Sequence, residues 1–137
     1  MSIATIQAAL DKYLNDNQGS DIAIAWEGTA YIPTQSVPFL APQTAGLINS
    51  PTGPGKDSIV QIDGTYQISV WFPIGQGMQP VRQKSDEIVA LFRRGTLLTT
   101  SDNKAVITEV PYQVMAIQEG NWIHVPVMVP WFVYDSY

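Results

Sequence analysis

One histidine, twelve carboxylates and no cysteine bound the chemistry open to this 137-residue chain. His124 has apolar neighbours, Ile123 and Val125, and no cysteine or carboxylate at ligand spacing. A structural or surface histidine is therefore expected rather than a metal ligand. The lack of cysteine excludes disulfides, thiolate chemistry and Cys-based zinc sites. Gly75-Gln76-Gly77 stands where a dinucleotide fingerprint would open a helix, but the third glycine of GxGxxG falls on Pro80. These glycines read as a strand-to-helix turn that needs their backbone freedom. Gly53-Pro54-Gly55-Lys56 is similar to a phosphate loop, yet Ser50 takes the first glycine's place. Asp57 takes that of the Ser or Thr, where a carboxylate repels phosphate. The serines lie in no nucleophile-elbow sequence. No two carboxylates share an apolar setting suited to acid–base work. No catalytic, cofactor-binding or metal-binding residue is assigned, and no cofactor is expected.

The elements that would position any such group form one domain over 1–137, long enough for a single two-layer core. Residues 59–92 organise it as strand, glycine-marked turn and amphipathic helix. Tyr66, Ile68, Val70 and Phe72 alternate with Gln67, Ser69 and Trp71, the pattern of a half-buried strand. Asp63-Gly64 suits either a hairpin or a sharply bent strand. The helix starts near residues 78–81 with Pro80 in its first turn. Val81, Ser85, Ile88, Val89, Leu91 and Phe92 face inward; Arg82, Gln83, Asp86, Glu87 and Arg93 face water. Before this unit, Ser2 can cap a first helix. Its Ile3, Ile6, Leu10, Tyr13 and Leu14 fall within an arc of about 100°. Asn15, Asn17 and Gly19 end it.

Residues 21–26 read as a strand with bulky Ile22, Ile24 and Trp26 on one face. Residues 29–58 hold five prolines and read as irregular, with a flexible Pro/Gly-rich loop over about 42–58, of which residues 49–57 are expected to order against a partner. At most, Phe39 and Leu40 make a short strand. After the second helix, residues 96–99, 105–110 and 113–118 read as strands, with Val106, Thr108 and Val110 on one face. The last strand covers 122–134. Its Pro126 and Pro130 place two missing N–H groups on one lateral side, so it is expected at a sheet edge or bulged. A long apolar edge needs protection, which a neighbouring subunit would supply.

Charged residues make up 14% of the chain, well below the usual quarter, so much of its surface is neutral and open to a partner. A net charge of −5 with only seven basic residues argues against wrapping nucleic acid. No stretch reaches transmembrane length, and no signal peptide is expected.

The order of these elements carries a resemblance. Ala25-Trp26-Glu27-Gly28, the run Gly64-Thr65-Tyr66-Gln67-Ile68-Ser69-Val70 continuing through Pro73-Ile74-Gly75-Gln76-Gly77, and Ile88-Val89-Ala90-Leu91-Phe92 before Arg94-Gly95 stand in sequence. Together they resemble the tail-terminator-like proteins of long-tailed phages and prophages, across nearly the whole chain. The resemblance implies an α/β (α+β) fold, with a mixed, mainly antiparallel sheet packed against two α-helices. It implies a structural protein of the virion's tail or neck, assembled in the host bacterial cytoplasm, and not an enzyme. The implied assembly is a ring, a hexamer, on the head-proximal end of the tail tube. That ring halts tube polymerisation and offers a docking surface to the head connector. The implied partners are further copies of the chain, the tail tube protein and the head-connector protein, with no specific nucleic-acid binding and no membrane. The alternatives are another neck or tail component, such as a head–tail joining or baseplate protein, or a small-ligand binding module.

Overall fold

A computed structural model describes residues 3–34, 36–55 and 59–135. Helix α1 (Ile3–Gln18) leads through β1 (Ala23–Ile24) to the long strands β2 (Phe39–Pro51) and β3 (Val60–Pro73). Helix α2 (Gln79–Leu91) follows, then β4 (Leu97–Thr99), β5 (Ala105–Thr108), β6 (Tyr112–Gln113), β7 (Ile117–Glu119) and β8 (Trp122–Asp135). The strands join in one sheet of order β1-β2-β3-β8-β5-β4, with β6 and β7 also on β8. Among the described residues only β1 and β2 pair in parallel. The fold is α+β with a mixed, mainly antiparallel sheet, as the resemblance implied.

Strand alternation sets the core. Ile62, Tyr66, Ile68 and Val70 of β3 are buried on one face. The register brings Val125, Val127, Val129 and Val133 of β8 alongside them, with Trp131 in the same alternation. Both helices cover this face: Ile6, Leu10 and Leu14 from α1, and Val81 and Ile88 from α2, with Phe92 just beyond α2. The Tyr13 hydroxyl donates to the Leu91 carbonyl at 3.1 Å, and the Tyr13 ring meets Phe92 edge-on at 5.2 Å, which ties the helices together. Gly75 and Gly77 have φ of +106° and +75°, so the turn into α2 uses the freedom the sequence anticipated.

Several expectations are corrected. Residues 42–51 belong to β2, not to a loop, and only 52–55 and 59 of the remaining connection are described. Ser2 and residues 56–58 lie outside the described residues. The prolines misled because β2 is nearly an outer strand: β1 pairs with it only at Phe39 and Leu40. Pro42 and Pro51 therefore leave their missing donors where no ladder partner waits. No hairpin or sharp bend occurs at Asp63-Gly64, since β3 pairs with β8 throughout its length. The irregularity sits on β2, whose register slips between Ala45 and Ile48 opposite Gly64. The strand over 21–26 shrinks to β1, because the chain turns out at Trp26, whose carbonyl accepts from Thr29 N–H at 3.2 Å.

The last strand is not at an edge. β8 pairs with β3 over its whole length and with β5, β6 and β7 on its other flank. The two prolines act on that second flank. Their carbonyls accept from Val114 at 2.9 Å and Glu109 at 2.8 Å, just past the ends of β6 and β5. In an antiparallel ladder, a residue's N–H and C=O point to the same side. The missing donors therefore face the places where the partner strand breaks. The expected strand over 113–118 is correspondingly split into β6 and β7, and Val110 leaves β5 and is exposed.

Candidate functional site

The helix-free face of the sheet carries a row of rings. Register aligns Phe39 of β2, Trp71 of β3, His124 of β8 and Ile117 of β7. Phe39 stacks on Trp71 at 5.6 Å between centroids, and Trp71 on His124 at 4.0 Å. Tyr31 meets Phe39 at 5.0 Å, and Trp122 packs on it edge-on at 5.3 Å. The row crosses the protein from one sheet margin towards the other. Sequence reading placed Trp71 and His124 on strands but could not align them, since register is a tertiary property.

His124 is a stacking element here. It is 8% exposed, and neither ring nitrogen has a hydrogen-bond partner among the described residues. Its Nε2 lies 3.6 Å from a Glu119 carboxylate oxygen. No group of three or more His, Cys, Asp or Glu able to hold a metal occurs among the described residues.

A second polar cluster joins α1 to the sheet. The buried Tyr66 hydroxyl donates to Asp11 Oδ1 at 2.5 Å. Glu27 Oε1 accepts from Gln7 Nε2 at 3.1 Å and from the Thr44 N–H at 3.3 Å. Burial pushes the Asp11 carboxyl above its ordinary range against the lowering effect of the Tyr66 hydrogen bond, with help from the Glu27 charge. Burial and Asp11 push the Tyr66 hydroxyl far up, so it stays protonated. With Tyr66 fully enclosed, the pair serves packing. A separation of 55 positions along the chain hid it from sequence reading.

This cluster makes a pH-dependent prediction. A carboxyl whose folded-state affinity for its proton is raised adds stability below its unfolded value of 3.8 and loses it as pH climbs through the folded value. Asp11→Asn keeps an acceptor for Tyr66 and cannot ionise. Relative to the parent, its thermal stability should therefore improve as pH rises from 4 to 7. Melting curves at both pH values check this; a variant that loses ground at pH 7 would refute it.

The open surface offers little for catalysis. Two depressions of about 570 and 670 Å³ meet at Arg94 and Gly95, below the end of α2. The first is lined by Ile107, Thr108, Glu109 and Phe132, and the second by Tyr13 and Arg93. Thr108 Oγ1 is already engaged, donating to the Arg93 carbonyl at 2.9 Å. Neither depression brings a nucleophile to a base. Large apolar side chains instead crowd the surface. Ile32 is 88%, Met115 78% and Ile48 62% exposed, and Leu97, Val110, Tyr112, Ile117 and Tyr134 are also exposed. Many lie on or beside the helix-free face, and exposed apolar side chains gathered on one face mark interaction surfaces.

A family model described as phage tail terminator protein matches residues 5–131. One solved structure superimposes with a TM-score of 0.71 at 22% sequence identity, covering 100% of this chain and 98% of the other, and shows a shared fold. No curated protein gives a significant match.

Proposed function

The chain belongs to the phage tail terminator family, and from that membership we propose that its copies form a ring that ends the tail tube. Its role is structural, in the phage tail, which makes it a component of the virion. We infer a hexamer on the head-proximal end, one surface meeting the tail tube protein and another the head connector. Tube polymerisation then stops because the last ring offers no further tube-like surface. The observation that carries this reading is the exposed apolar side chains on the helix-free face and its margins. Covering them with neighbouring subunits removes that apolar area from water.

Tubes grown from purified tube protein test it. With the chain present, electron microscopy should show shorter tubes with extra density at one end. Unchanged lengths and bare ends would overturn the reading.

The same assembly accounts for the acidity. A net charge of −5 on each copy sums around a ring, and a negative wall lets DNA pass without adhering. Strong, salt-sensitive retention of DNA by the assembled ring would exclude that role. No helix among the described residues is long and apolar enough to cross a membrane.

A further inference from the structure

The ring reading leaves open which surfaces of the protein meet, and the two ends of the aromatic row bear on that. At the β2 end, the row finishes at Tyr31 and Phe39, with exposed Ile32 and Val37 in the same segment. At the β7 end it finishes at Ile117, with Tyr112 and Met115 exposed nearby. β3 and β8 separate the two ends.

Both ends share a polarity. Residues 28–55 contain no Asp, Glu, Lys, Arg or His, and neither do residues 110–118. Neither stretch brings a charged side chain of its own to a contact, which limits the cost that buried charges incur, although Glu27 borders the first and Arg82 and Asp86 border the second through Gln113. Charge depletion with aromatic and Met enrichment is also what marks the centre of protein interfaces.

The backbone at the β2 end limits how such a contact forms. The Leu40 carbonyl already accepts from Ala25 N–H at 2.7 Å, Pro42 has no donor, and the Thr44 N–H is directed to Glu27. A neighbour cannot extend the sheet along this stretch by strand addition and must pack through side chains.

We propose that the 110–117 margin of one copy packs against the margin formed by residues 31–34 and 36–43 of the next, at the height of the aromatic row. This rests on the ring reading and specifies its contact. Two unlike patches at opposite ends of the sheet make the contact head-to-tail, and such contacts close into rings when the rotation allows. The stacked rings then act as a rigid bar that holds the two contacts at fixed separation within each copy.

The absence of cysteine provides a clean test. Ile32→Cys and Met115→Cys each alter a strongly exposed side chain, so the fold is retained. Pro33 and Ser36 line a depression with Asn121 and Trp122 at the start of β8, so the mixture of the two single variants, each with one thiol, is the arm that excludes a link within one chain. A short bismaleimide added to the double variant, free and on tube ends, should give a ladder of covalent oligomers. Each single variant should stay monomeric, and the two singles mixed should give dimers only. Dimers from one single variant alone would mean a self-complementary contact and overturn the proposal. So would an absent ladder while native mass spectrometry or microscopy shows rings, with the ring reading intact. Absence of rings both in solution and on tube ends would instead remove the ring reading itself, and the proposed contact with it.

Discussion

Replacing Phe92 with alanine is expected to destabilise the protein by about 3–5 kcal/mol. Phe92 is fully buried just past the end of α2, with Tyr13 of α1 at 5.2 Å and Tyr66 of β3 at 5.9 Å between ring centroids. One ring thus joins both helices to the central sheet. Removing it leaves a cavity that the surrounding strands cannot close, and loses the ring–ring contacts as well. The melting temperature should fall by roughly 10–20 °C for a domain of this size. Phe92→Leu should recover most of the loss, because it restores volume. Equal losses in the two variants, measured by calorimetry, would show that aromatic contact rather than cavity volume sets the cost.

Trp131→Ala should cost a similar amount, about 3–5 kcal/mol, with a different companion result. Trp131 is 1% exposed on the core face of β8. Its Nε1–H has no hydrogen-bond partner among the described residues. A buried donor without an acceptor is a standing cost of about 1–3 kcal/mol. Trp131→Phe removes that donor along with part of the indole, so the two effects oppose each other. Its net destabilisation should be under about 1.5 kcal/mol, far below that of alanine. Chemical denaturation of the three proteins checks the order; a phenylalanine variant as unstable as the alanine one would place an acceptor at the indole nitrogen.

Local pattern exposed some of this architecture well. β3 and α2 were readable because Tyr66, Ile68 and Val70 repeat every second residue, while Val81, Ser85, Ile88 and Phe92 repeat at helical spacing. Two glycines then marked the turn between them. β2 was not readable, because Pro42 and Pro51 act as breakers only where a partner needs their N–H. Pro126 and Pro130 told a partial truth: one side of β8 lacks full pairing, but only the assembled sheet shows that three short strands occupy it. The row on the helix-free face is a product of register, aligning Phe39, Trp71, His124 and Ile117 from four strands, and no spacing along the chain reveals it.

The unequal flanks of β8 also bear on mechanical behaviour. Fourteen residue pairs join it to β3, against two, two and three to β5, β6 and β7. A pull across the strands would therefore peel the short flank first and spare the long ladder. Strain would gather at that short flank, while the β3–β8 ladder kept its shape.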